Sequence, residues 1–218
     1  MALEIDVFWS FRSPWSYLAT PRLRAWQRDY DLKVNFRPVY PIAIRTPEFF
    51  LQMNPLWPGY FQRDLKRVAE FLSMPLTWPN PDPVSQYRGE DGRPRTSQSQ
   101  PHIHRLTRLG VVAEEAGHGI EFADEISALI WTGTGNWDQG DHMALATQRA
   151  GLDLAECDAM VTAQADRLDG VIEQNQVDHE ASGHWGVPTC AFRGEPFFGQ
   201  DRLDVLLWRL KQEGLKPR

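Results

Sequence analysis

Strand-forming sequence lies at the two ends of this chain, and the stretch between them, residues 41–183, reads mainly as helix. Leu3 to Phe8 sets apolar Leu3, Ile5 and Val7 against acidic Glu4 and Asp6, the two-residue period of a strand. From Pro14 to Tyr30 the apolar residues Tyr17, Leu18, Leu23 and Trp26 follow a helical pattern. Lys33 to Tyr40 alternates again through Val34, Phe36 and Pro38. At the far end, Gly186-Val187-Pro188-Thr189 leads into a strand from Cys190 to Arg193. Gly194-Glu195 marks a turn and Pro196 to Phe198 a second strand, which predicts a hairpin. A final helix opens at Gly199-Gln200-Asp201 and carries Leu203, Val205, Leu206, Leu207 and Leu210. A β-α-β piece and a β-β-α piece, distant in sequence, are thus expected to complete one sheet. The fold class is α/β, with a discontinuous domain of residues 1–40 and 184–218 interrupted by an all-helical insertion, 41–183.

Within the insertion, helices are expected over Tyr60 to Leu72, His102 to Ala116, Phe122 to Thr132 and Gln139 to Ala150. One longer helix is expected from Leu154 to His179, with Cys157, Met160, Val161, Leu168, Val171 and Ile172 on one face. Pro75 to Pro83 reads as a proline-rich connection, and the polar run Gly89 to Ser99 as a mobile loop. A net charge of −6 leaves no basic surplus for phosphates and argues against nucleic-acid binding. No stretch approaches the roughly 20 apolar residues of a membrane span. The opening Met-Ala-Leu-Glu-Ile-Asp has neither the basic nor the apolar region of a secretory signal, so a cytoplasmic protein is expected. Cys157 and Cys190 belong to no Cys-x-x-Cys pair and read as reduced, partly buried thiols. His102 and His104 point to different faces of one helix, and no metal site is expected.

Ser13-Pro14 carries the strongest chemical signal. An apolar strand runs into it and a helix leaves it, which puts Ser13 at an N-cap and Pro14 at the first helical position. An ordinary cap is one reading; a hydroxyl beside free backbone N–H groups that holds an anion or a thiolate is the other. The β-α-β and β-β-α pieces fit a thioredoxin-like fold, in which the proline before the third strand, here Pro188, is usually cis and faces the first helix. Val187 would then offer its backbone to a bound peptide as an added strand. At the start of the last helix, Gln200 and Asp201 suit a carboxylate and an ammonium group, though Asp201 also reads as a plain cap. Together the three points describe a groove for glutathione, with its thiol at Ser13, its cysteinyl backbone at Val187 and its γ-glutamyl head at Gln200 and Asp201.

The chain resembles the 2-hydroxychromene-2-carboxylate isomerases, in the kappa-class glutathione transferase and DsbA-like group of the thioredoxin superfamily. The resemblance is carried by Phe11-Arg12-Ser13-Pro14-Trp15-Ser16-Tyr17-Leu18-Ala19, Tyr60 to Arg67, Met74 to Pro79, Trp185 to Thr189 and Phe197 to Leu203. It implies a thiol-activating role for Ser13, with glutathione also touching Val187, Pro188, Phe198, Gly199, Gln200 and Asp201. It implies reversible thiolate addition to the double bond of an o-hydroxybenzylidenepyruvate, with Arg12, Trp57, Tyr60 and Asp64 toward the substrate. Partners implied are glutathione, a small aromatic electrophile and a second copy of the chain. Gln200 stands where the family often has Asn, and Trp57 where it commonly has Lys. The alternatives are a kappa-class-like transferase or peroxidase acting on another electrophile, a DsbA-family protein without Cys-x-x-Cys redox activity, and a glutathione-binding or sensing protein without turnover. A disulfide oxidoreductase is disfavoured, because Ser13 and Ser16 occupy both redox positions.

Overall fold

The first strand, β1 (Leu3–Trp9), is the hinge of the architecture because it is buried on both faces. The computed structural model describes residues 2–218. After β1 come α1 (Pro14–Asp29) and β2 (Leu32–Pro38), which pairs parallel to β1 with Val7 opposite Phe36. Late in the chain β5 (Thr189–Phe192) and β6 (Glu195–Phe198) form the expected hairpin, and β5 lies antiparallel to β1 with Val7 opposite Cys190. The sheet order is β2-β1-β5-β6, so the two ends of the chain do complete one sheet.

The insertion holds α2 (Ile42–Arg45), a 3-10 turn (Phe49–Leu51), α3 (Trp57–Phe71), β3 (Gln86–Arg88), β4 (Pro94–Thr96), α4 (Ile103–Glu115), α5 (Gly119–Trp131), α6 (His142–Arg149), α7 (Leu154–Ala163) and α8 (Ala165–Ala181). A second 3-10 turn (Gln200–Arg202) and α9 (Leu203–Gln212) follow the hairpin. The core is contiguous from sheet to insertion and is centred on Trp9, Phe11, Phe36, Phe122 and Trp131. Its three fully buried tryptophans, Trp9, Trp131 and Trp137, keep their polar edge satisfied, as burial requires. Trp9 donates to Thr20, Trp131 to the Phe11 carbonyl and Trp137 to the Pro81 carbonyl.

Three expectations for the insertion need correction. The long helix Leu154 to His179 is two helices, because Gln164 leaves helical geometry at φ −130 and ψ 26. α7 buries Cys157 and Val161 while α8 buries Leu168 and Ile172; Met160, expected on that face, is exposed. The run Gly89 to Ser99 is mostly a hairpin, so the insertion is not all helical. Its turn uses Gly92 at φ 74, and Asp91 accepts from the Arg93 N–H and pairs with Arg95. Polar contacts around its turn hold it, and hydrophobic alternation cannot reveal those. The third correction is that α2 and the Phe49–Leu51 turn occupy a stretch in which no element was expected.

The outer edge of β2 is closed by side chains instead of a strand. Gln27 accepts from the Val34 N–H and Glu114 from the Phe36 N–H. Burial pushes the Glu114 carboxyl up to about 7.

Candidate functional site

The fold brings Ser13 and Val187 together across 174 residues of chain. Ser13 caps α1: its Oγ accepts from the Ser16 N–H at 3.2 Å. The same hydroxyl donates to the Val187 carbonyl at 3.3 Å, a long bond that leaves the proton free to be redirected. Pro14 has no N–H, and the Trp15 N–H meets no protein acceptor among the described residues. One backbone donor therefore stays open beside the hydroxyl. The Val187–Pro188 peptide is cis. The Val187 N–H is likewise without a protein acceptor among the described residues, so this residue presents both backbone groups near Ser13.

The loop that carries Val187 is fastened from below. The Gly186 carbonyl accepts from Thr189 at 2.6 Å and from His179 at 2.9 Å. Burial depresses His179 to about 4, so the ring is neutral at pH 7 and its Nε2–H is the donor. The ring stacks on Phe8 with centroids 4.7 Å apart. His184 Nδ1 accepts from the Gly186 N–H, and its ring stacks on Phe198 at 3.9 Å. Arg45 donates to the Trp185 carbonyl at 2.9 Å, and the Gly199 N–H to the Pro188 carbonyl at 2.8 Å.

Gln200 and Asp201 lie in the 3-10 turn that precedes α9, not in the first turn of the helix itself. Gln200 is buried, and its carbonyl and its Oε1 both accept from Arg22, at 2.6 and 2.7 Å. What Gln200 has left to offer a ligand is its amide NH2 and its backbone N–H, neither of which meets a protein acceptor among the described residues. Asp201 is exposed and pairs with Arg202 at 3.0 Å.

Ser13 and Val187 open onto a cavity of about 960 Å³ between the sheet and the insertion. Arg12, Trp57, Tyr60 and Phe198 line it, whereas Pro188 sits buried beneath and Gly199, Gln200 and Asp201 lie in the turn after Phe198. Asp64 is not among the lining residues; it pairs with Arg67 one helical turn on, at 3.0 Å. Nine aromatic side chains line the cavity, and its charged lining residues are Arg12, Arg45, Arg88 and Arg93.

Sequence reasoning did not find several of these. Arg12 is bound by Asp82 at 2.6 Å and lies 4.6 Å from the Trp78 ring centre. Both partners belong to the proline-rich connection; Trp78 lies in the Met74 to Pro79 segment that carries the resemblance, but no local pattern marks Asp82. His179 and Arg22 read as helix residues, and their partners lie far along the chain or in a loop. The thiols are elsewhere: Cys157 and Cys190 are buried and unpaired, and burial pushes Cys190 up to about 12. Ser16 Oγ is buried without a hydrogen-bond partner.

Comparison with known proteins places this geometry. The DSBA-like thioredoxin domain family matches residues 4–211. A 2-hydroxychromene-2-carboxylate isomerase of Pseudomonas sp. (strain C18) is 24% identical over 213 residues, covering 93% of this chain and 87% of that protein. Among solved structures, a selenomethionine 2-hydroxychromene-2-carboxylate isomerase superposes with a TM-score of 0.71 at 19% identity, over 96% of this chain and 95% of that one. The cytosolic disulfide reductase DsbM from Pseudomonas aeruginosa, solved with GSH, gives 0.58 at 17% identity, over 96% and 100%. At these identities the two structures establish a shared fold.

Proposed function

The chain belongs to the DSBA-like thioredoxin domain family, and from that membership we propose that it is a glutathione-dependent isomerase. Its reaction would interconvert 2-hydroxychromene-2-carboxylate and trans-o-hydroxybenzylidenepyruvate, or a close aromatic analogue. The observation that carries the reading is the Ser13 hydroxyl set 3.3 Å from the Val187 carbonyl at the floor of an aromatic cavity.

The open donors and acceptors suit glutathione in kind. The Val187 N–H and C=O match a cysteinyl backbone, the Gln200 amide NH2 a carboxylate, and the exposed Asp201 carboxylate an ammonium group. When bound, glutathione supplies a thiolate whose reversible addition to a conjugated double bond lets that bond rotate. Ser13 supplies the proton that steadies the negative sulfur, redirected from the Val187 carbonyl, and the Trp15 N–H adds a backbone donor at the positive end of α1. The side chains of Trp57, Tyr60 and Phe61 present flat apolar surface to a fused aromatic ring. The same reading carries a cytoplasmic homodimer; light scattering on the purified protein tests the second half of it.

Purified protein with glutathione is expected to interconvert the two acids, followed by absorbance. Ser13→Ala should lower kcat/KM by about 10²-fold while the melting temperature holds within about 3 °C. Unchanged activity in that variant refutes the role of Ser13. Absence of the interconversion, with glutathione-dependent turnover of a chlorinated aromatic electrophile, would replace the isomerase by a kappa-class-like transferase.

A further inference from the structure

The chain has a net charge of −6, yet the charged side chains around this cavity are four arginines, with no Asp, Glu or Lys among the lining residues. The four are not equivalent. Arg12 is neutralised by Asp82 at 2.6 Å, and its guanidinium covers Trp78. Arg45 donates to the Tyr40 carbonyl at 2.7 Å and the Trp185 carbonyl at 2.9 Å, where it fastens the Val187 loop. Arg88 and Arg93 differ from both. Each donates one nitrogen to a backbone carbonyl, Gly92 and Leu51 respectively, both at 2.9 Å. Among the described residues neither has a carboxylate within 4.0 Å, and the third arginine of the same hairpin, Arg95, has its charge taken by Asp91.

The hairpin thus separates its arginines, one paired within its own turn and two left as free cations at the cavity. We infer that Arg88 and Arg93 select an aromatic anion for this cavity by pairing with its carboxylate, and that Arg12 does not. The inference deepens the isomerase reading by naming the residues that recognise the acid group of the substrate. Guanidinium groups hold planar carboxylates through two parallel N–H donors, and both side chains retain free nitrogens for that purpose. The hairpin is braced to present them: Arg93 bonds to the Leu51 carbonyl and Thr96 to the Ala43 carbonyl at 2.8 Å. Rings held against Trp57, Tyr60 and Phe61 would extend an acid group to that rim.

The test uses binding alone, without glutathione or turnover, so it stands apart from the fate of the isomerase reading. Trp15, Trp57, Trp78 and Trp185 line the cavity and report occupancy by fluorescence quenching. The probes are 1-naphthoate and its neutral counterpart 1-naphthamide. The wild-type protein should prefer naphthoate by about tenfold, the worth of one charge-assisted contact. In Arg88→Gln/Arg93→Gln the preference should fall to about onefold with naphthamide affinity kept, and in Arg12→Gln it should persist. If the double variant loses naphthamide binding too, Arg88→Lys/Arg93→Lys decides, and must keep a preference for the anion. No preference in the wild type, an undiminished preference in the double Gln variant, loss of preference in Arg12→Gln, or no preference in the double Lys variant overturns the proposal.

Discussion

Glu114 shows how a single residue sets a pH response. Its carboxylate accepts the Phe36 N–H at the outer edge of β2, and burial raises it to about 7 from an ordinary value of 4.5. Between those values the folded chain binds the proton more tightly than the unfolded chain, so this group's contribution to stability falls as pH rises from 4.5 to 7. Glu114→Gln keeps an acceptor and removes the charge. It is expected to raise stability at pH 8 by about 1–2 kcal/mol, or a few degrees in melting temperature, and to change little at pH 5. Equal gains at both pH values would remove the buried charge as the cause. The Ser13 cap was legible from local sequence because capping signals are written within a few residues, whereas Val187 and the cis Pro188 were expected from the thioredoxin-like arrangement of the strands. The Arg12–Asp82 pair was not, since its partners stand 70 positions apart and either residue alone reads as solvated.

At the scale of elements, α8 is held to the sheet through His179. The ring sits between Phe8 of β1 and the Gly186 carbonyl and must be neutral there, with its value depressed from 6.5 to about 4. The stability tied to that depression is complete above pH 6.5 and is lost as pH falls toward 4. His179→Gln retains a donor for Gly186 but cannot titrate. Thermal melts of the two proteins should converge as pH drops from 7 to 4.5, by an amount on the order of 2 kcal/mol. A constant difference across that range would exclude the histidine as the source. The α4–α5 junction makes a sharper demand on space. A Cβ on Gly119 would stand 2.8 Å from the Phe36 Cβ and 2.1 Å from Glu114 Oε2, so Gly119→Ala should cost about 1–3 kcal/mol in a denaturant titration. The sheet elements were readable from period-two alternation and the bulk of the helices from apolar spacing. The break at Gln164 and the β3–β4 hairpin were not: apolar positions continue on both sides of the first, and polar pairs build the second.

For the whole molecule, the placement of sulfur sets how its thiols react. Cys157 and Cys190 are buried and free, burial raises both thiols, and the cavity floor presents a hydroxyl at Ser13, with Ser16 buried beneath it. The native protein is therefore expected to react with a thiol-specific dye only as fast as it unfolds, and reductant should leave its melting temperature unchanged. Rapid labelling of either thiol in the native state would contradict the burial described. The match of the thioredoxin-like arrangement to the sequence pattern came from the order of the pieces at the two ends. The cavity between them was only partly foreseen, because aromatic residues scattered over the insertion show no common period.

That arrangement carries a consequence for biosynthesis. β1, α1 and β2 leave the ribosome early, but the partner of β1 on its other side is β5, and the acceptor for the Ser13 hydroxyl is the Val187 carbonyl. Until residues 187–198 have emerged, the nascent chain carries one unpaired edge of a buried strand and no carbonyl for the Ser13 hydroxyl. A ribosome stalled before that point would display an insertion able to pack on α1 and β2 while the other edge of β1 stays open, and a holdase that protects that edge would find its target throughout nearly the whole of translation.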